Sequence, residues 1–188
     1  MERITSRKNP YIVHLRALAA DGAYRRARGE FVCDGEKLLR EALSSGMRVT
    51  SVLGAGEEGL PDAGRVYLAP QDLVEYASPL RNSPGPVFTV KIPEIPVPER
   101  PKNALILENV QDPGNVGTVV RAADALGIGT VVLVGECADL WSPRTSRATM
   151  GAVFRQPVAT TDIDGLPELL SRFSLPLFGA ALCAGAAD

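Results

Sequence analysis

The chain switches between two hydrophobic periods, and the switch points divide it into elements. Leu38, Leu39, Ala42 and Leu43 fall on one face at helical spacing and the run stops at Gly46, which predicts an amphipathic helix over EKLLREALSSG. Asn9-Pro10 supplies a capping residue followed by proline at the first helical position. YIVHLRALAA is therefore expected to be a helix that ends near Asp21-Gly22. EFVCDG, VTSVLGA and RVYLA are short apolar runs that read as strands, with PQDLVEYAS as a helix after the last. PVFTVKI alternates, so it is expected to be exposed or to lie at a sheet edge.

The pattern breaks at residues 92–101, IPEIPVPERP, where prolines stand at 93, 96, 98 and 101. Proline at that density removes backbone donors and favours a stiff, extended chain, so this stretch is expected to link two domains. Beyond it ALILENV reads as a strand, Asn115 to Leu126 as a helix closed by Gly127, and TVVLVG as a second strand. That is a compact βαβ unit with parallel strands. Ser142-Pro143 opens another helix, RTSRATM, running to Gly151; PELLSRF predicts one more, and LPLFGAAL a third strand. The predicted fold class is α/β, with a small α/β domain at 1–91, a linker at 92–101 and a parallel-sheet domain from 102 to 188.

The bulk composition narrows the function. With 188 residues, 45% hydrophobic and 22% charged, the chain has a globular composition. No apolar run approaches the ~20 residues that cross a bilayer, and MERITSRKNP has no signal-peptide core, so a cytoplasmic setting is expected. Cys33, Cys137 and Cys183 are odd in number and far apart, which argues against a disulfide framework and against a zinc site. His14 is the only histidine, so a histidine-based triad or a multi-histidine metal site is nearly excluded, and no metal is expected. Residues 1–50 carry ten Lys/Arg against six Asp/Glu, whereas residues 51–188 carry ten against sixteen. A basic N-terminal part on an acidic body fits either a polyanion-binding surface or a solvated helical face.

Candidate chemistry lies in ENVQDPGNVGTVVRAADALG, residues 108–127. A loop between a parallel strand and its helix sits at the carboxyl end of the sheet, where α/β proteins bind ligands. Gly114 and Gly117 give only G-x-x-G, which is neither a dinucleotide fingerprint nor a P-loop. Asn115 is placed to cap the helix. Arg121 has two readings by spacing, a salt bridge with Asp112 or Asp124, or a grip on a phosphate or ribose hydroxyl.

This segment, followed by GIGTVVLVG, resembles the first signature of the SpoU (TrmH-type) RNA ribose 2′-O-methyltransferases of the SPOUT superfamily. SPRTSRATMGAVFRQPV resembles their second signature region, and FVCDGEKLLREAL the start of the substrate-binding domain that precedes the catalytic domain in many members. The leading ITSRKNPYIVHLRAL fits the same members. The resemblance implies methyl transfer from S-adenosylmethionine to a ribose 2′-hydroxyl of structured RNA, ribosomal RNA foremost, by a homodimer with a trefoil-knot catalytic domain. It assigns Arg121 to activating the hydroxyl and Asn115 to shaping the site. Under the same reading Arg7, Lys8, Arg25, Arg26, Arg28, Lys37, Arg144 and Arg147 are expected to bind RNA. Trp141 either stacks on a base or anchors its loop, and Thr149 and Gly151 serve packing.

One departure stands out. The family's third signature, a glycine-rich loop with an Asn-Glu-Gly core followed by a Ser-Leu-Asn segment, has no counterpart before Asp188. The first cofactor-contacting loop would fall at Gly179, Ala180, Ala181 and Leu182, so the cofactor pocket and the catalytic domain are expected to be incomplete in this chain. A non-catalytic RNA-binding protein is the competing expectation.

Overall fold

The computed structural model describes residues 1–56, 60, 64–81 and 83–180. Two sheets form. The first joins β1 (Glu2–Arg3), β2 (Glu30–Asp34), β3 (Val49–Gly54), β4 (Arg65–Leu68) and β5 (Val87–Lys91) in the order β1-β4-β3-β5-β2. β1, β4 and β3 run parallel, and β5 is antiparallel to both β3 and β2. Helices α1 (Pro10–Ala20), α2 (Gly22–Arg28), α3 (Glu36–Ser44) and α4 (Gln71–Ala77) accompany it. The second sheet holds β6 (Ala104–Glu108), β7 (Thr130–Val134) and β8 (Val158–Thr161), all parallel, in sequence order. It carries α5 (Pro113–Ala125), α6 (Pro143–Ala148), a 3-10 turn at Ala152–Phe154 and α7 (Leu166–Phe173).

Two sequence expectations are corrected. PVFTVKI does not form an edge: β5 lies between β3 and β2, and Val87, Phe88, Thr89 and Val90 are all buried. Both faces of that strand are covered, so its alternation of residue types carries no exposed side. The third strand of the second sheet is β8, VATT, and not LPLFGAAL. Residues 175–180 form neither helix nor strand, with Leu177 and Phe178 exposed, and 181–182 lie outside the described residues. β8 is too short and too polar to announce itself by period. It is recruited because β7 offers an unpaired edge, which it fills in register from Val131↔Val158 to Val134↔Thr161.

The core is layered. On one face of the first sheet, Ile12, Leu15 and Leu18 of α1 pack with Leu73, Val74 and Ala77 of α4. On the other face Phe31, Val52, Phe88 and Val90 share a single cluster with α3, with Val116, Val120 and Ala123 of α5, and with Leu140 and Phe154. The far face of the second sheet is closed by Leu169 and Phe173 of α7 over Val132 and Val134. The proline-rich stretch 92–101 has no helix or strand, yet it is packed down: Ile92 joins the central cluster, Val97 joins the α7 cluster, and Pro101 is buried.

Candidate RNA-modifying site

The carboxyl ends of β6 and β7 lead into loops that are tied together. The Asn109 side-chain oxygen accepts the Glu136 N–H at 2.8 Å, with Asn109 itself in the left-handed region at φ 52°. α5 then begins at Pro113, and its cap is Asp112, whose carboxylate accepts the Asn115 N–H at 2.8 Å. The expectation that Asn115 is the cap is therefore corrected by three residues. Aspartate suits the position because its charge also meets the positive end of the helix. Freed from capping, the Asn115 side chain is exposed on the first turn.

Gly117 determines how α5 meets α6. A Cβ there would stand 2.5 Å from Ala148 Cβ and 2.6 Å from the Thr145 carbonyl oxygen, so only glycine allows this approach. α6 is opened by Ser142, whose hydroxyl accepts the Thr145 N–H, and Thr149 is buried with its hydroxyl donating to the Ser146 carbonyl at 2.6 Å. Arg121 follows Gly117 by four residues and so belongs to the same side of α5. It is exposed, and it forms no ion pair among the described residues. Both acids proposed as its partners are engaged elsewhere: Asp112 caps the helix, and Asp124 holds Arg155 at 2.7 Å. The salt-bridge reading of Arg121 is thus removed, and a charged fork stands beside the α5–α6 seam.

The predicted RNA-binding cations divide into two groups. Arg25 is corrected: it is buried, pairs with Asp139 at 2.6 Å and donates to the Leu18 carbonyl at 2.6 Å. Its guanidinium is consumed in joining α2 to the loop before α6, which leaves nothing for a phosphate. Arg7, Lys8, Arg26, Arg28, Lys37, Arg144 and Arg147 are exposed. Arg7 lies over the Tyr76 ring at 4.5 Å, with Arg16 on the same ring at 5.0 Å, and Arg28 lies over Tyr24 at 5.1 Å. Sequence reasoning missed Arg16, Arg81 and Asp139. Only the basic composition of the N-terminal part pointed to the first, and nothing in the sequence pairs Asp139 with a residue 114 positions away.

Trp141 takes its anchoring reading, since its indole packs on Phe31 at 5.0 Å. His14 sits inside a polar network of the first sheet, 3.5 Å from Glu30 and 3.0 Å from the Tyr24 hydroxyl. Burial of Glu30 opposes its ionisation, but hydrogen bonds from His14, Thr50 and Thr89 outweigh it and hold the carboxyl down at about 2. Burial pushes the Cys33 thiol up, which makes it inert. Among the described residues no group of three or more metal-ligating side chains occurs. Of the expected cofactor residues, Gly179 and Ala180 are exposed in the irregular stretch after α7, and Ala181 and Leu182 lie outside the described residues. The described residues therefore do not by themselves enclose S-adenosylmethionine.

The arrangement matches known proteins along nearly its whole length. The SpoU rRNA Methylase family model matches residues 102–184. A 23S rRNA (guanosine(2553)-2′-O)-methyltransferase, RlmP of Bacillus subtilis, is 30% identical over 190 residues, covering 99% of this chain and 76% of the relative. The mitochondrial rRNA methyltransferase 3 of Xenopus tropicalis is 31% identical over 176 residues, covering 82% of this chain but 41% of the relative, so the chain spans less than half of that protein. Among solved structures, an AdoMet-bound rRNA methyltransferase from Sinorhizobium meliloti superposes with a TM-score of 0.79 at 28% identity, covering 91% of this chain and 69% of the other. An RNA 2′-O ribose methyltransferase superposes with a TM-score of 0.73, also at 28% identity, covering 93% and 71%. With the Bacillus subtilis relative at that identity and coverage, the chain belongs to the SpoU family of S-adenosylmethionine-dependent RNA methyltransferases.

Proposed function

We propose that this chain methylates a ribose 2′-hydroxyl of ribosomal RNA, with S-adenosylmethionine as the methyl donor. The observation that carries the reading is Arg121, exposed at the α5–α6 seam with both nearby acids committed elsewhere. A charged arginine is a poor base, so its part is electrostatic. Its fork holds the ribose phosphate and stabilises the negative charge that grows on the 2′-oxygen as the hydroxyl proton passes to solvent water. Asn115, released from capping by Asp112, is free to hydrogen-bond the same nucleotide. The donor supplies an electrophilic methyl carbon; the chemistry assigned to the residues described here stops at holding and polarising the acceptor.

Transfer of tritium-labelled methyl groups to unmethylated ribosomal RNA transcripts tests this. Arg121→Ala is expected to lower transfer roughly 100-fold or more while the melting temperature stays unchanged. Transfer that survives the substitution removes Arg121 from the reaction. RNA binding without any transfer by the unaltered chain would leave the non-catalytic reading in its place. A homodimer belongs to the same proposal, and light scattering should return a mass near twice the 20.0 kDa of one chain.

A further inference from the structure

A cleft of about 440 Å³ opens where the first sheet meets α6. Three segments wall it: the β2–α3 turn with the first half of α3, the loop after α4, and the end of α6. Each contributes one cation, Lys37, Arg81 and Arg147 respectively. None of the three forms an ion pair among the described residues, whereas Arg25, Arg40 and Arg155 all do. Glu36 and Glu41 line the cleft as well, but each is paired with an arginine, Arg40 and Arg155 respectively, so among the described residues the three unpaired cations face Asp34 as the one acid of the lining outside an ion pair. Leu80 and Met150 give part of the wall an apolar surface. Asp34 closes its floor, held in place by the hydroxyls of Ser78 and Ser83, and an ionised carboxylate still has acceptor positions to offer after two such bonds.

We infer that this cleft receives one unstacked nucleotide of single-stranded RNA. Its phosphates are met by Lys37, Arg81 and Arg147, its base lies against Leu80 and Met150, and an N–H of the base donates to Asp34. The volume falls in the range of roughly 300–1,000 Å³ that suits one small ligand and is too small for a helical segment. RNA is favoured over a free nucleotide because arginines continue outward, three of them against Asp72 and Glu75 in the adjoining lining. Arg81 also lines a neighbouring shallow cleft with Arg7 and Arg16, both stacked on Tyr76. A strand can therefore pass over that ring and lower one base into the pocket, as single-stranded RNA is commonly held. Arg147 and Met150 come from the methyltransferase part and the rest from the N-terminal part, so the pocket registers RNA against both at once. This inference rests on the RNA reading above and adds where, and by which residues, the substrate is gripped.

The test uses the whole chain and a fluorescein-labelled single strand of about 12 nucleotides, alone or annealed to its complement. Anisotropy should show the single strand bound more tightly than the duplex. R81E and R147E, on different elements, should each weaken it roughly tenfold or more with unchanged melting temperature, and the salt slope should fall. R48E, whose arginine lines a different cleft, should change affinity less than twofold. A strand carrying 4-thiouridine should crosslink to peptides 80–85 or 147–150. Wild-type affinity in both R81E and R147E, equal affinity for duplex, or crosslinks confined to other peptides each overturn the pocket. In those cases methyl transfer by the unaltered chain leaves the enzyme reading standing. Failure of the unaltered chain to bind either RNA removes the pocket and the RNA reading together.

Discussion

Glu30 shows how far a single residue's chemistry departs from its type. It starts β2, is 9% exposed, and accepts hydrogen bonds from Thr50 and from the Thr89 side of the network while His14 stands beside it. Its carboxyl titrates at about 2 instead of 4.5, because those donors outweigh the cost of burial. A carboxylate held down in the folded state contributes stability that is fully present above pH 4.5 and is lost as pH falls toward 2. That contribution is on the order of 3 kcal/mol by linkage. Glu30→Gln is expected to lower the melting temperature at pH 7 and to flatten the fall in stability between pH 4.5 and pH 2.5, as followed by circular dichroism. An unchanged acid limb would mean that other carboxylates control it. None of this was legible in EFVCDG, where Glu30 reads as an ordinary polar residue at the start of a strand. The three donors that meet it come from α1, β3 and β5.

At the scale of elements, the α5–α6 pair is the unit on which the site stands. The start of α6 was readable from the sequence, because Ser142-Pro143 is a local signal with a local cause, whereas α5 starts at Asp112-Pro113 and not at the expected Asn115 cap. The contact between the helices was not readable, because the reason for Gly117 lies on α6. Gly117→Ala forces a methyl group into Ala148 and the Thr145 carbonyl, so a loss of about 1–3 kcal/mol is expected in urea unfolding, with little change in m. The displaced helix should lower methyl transfer as well. Gly114→Ala is the control: a Cβ there meets only the Asp112 carboxylate oxygen at 3.0 Å, and a smaller loss is expected. Equal losses at the two positions would show that helix propensity, not the helix contact, accounts for the effect.

At the scale of the molecule, two sheets share one core. Phe31 and Phe88 from the first lie in the same cluster as Val116, Val131 and Phe154 from the second, so neither sheet keeps a full core of its own on that side. The Arg25–Asp139 pair lies at this junction, with the arginine buried and the carboxylate also accepting the Trp141 N–H at 2.9 Å. Unfolding is expected to be a single transition. Asp139→Ala strands a buried guanidinium and should cost about 3 kcal/mol. Calorimetry reads both outcomes: two separate transitions in the unaltered chain would mean that the shared cluster does not couple the sheets. The double change Arg25→Met with Asp139→Ala should recover much of the loss, since it removes the stranded charge along with its partner.

What the sequence determined by itself was everything with a local cause. Helical spacing, proline after a capping residue, glycine after a last turn and β-branched runs all act within a few positions, so α1, α3, α5, α6 and α7 and the strands β3, β4, β6 and β7 were expected where they stand. The signature around Arg121 also belongs here, because a contiguous motif carries its chemistry in one stretch of chain. Tertiary structure alone decided whatever depends on a neighbour far along the chain. It made β5 central, recruited a four-residue strand at Val158–Thr161, took Arg25 from RNA to Asp139, left Arg121 unpaired, and gathered Lys37, Arg81 and Arg147 around one cleft. The physical reason is the same in each case. Burial and pairing energies depend on which surfaces come together in space, and hydrophobic period along the chain says which side of an element is apolar without saying what will cover it.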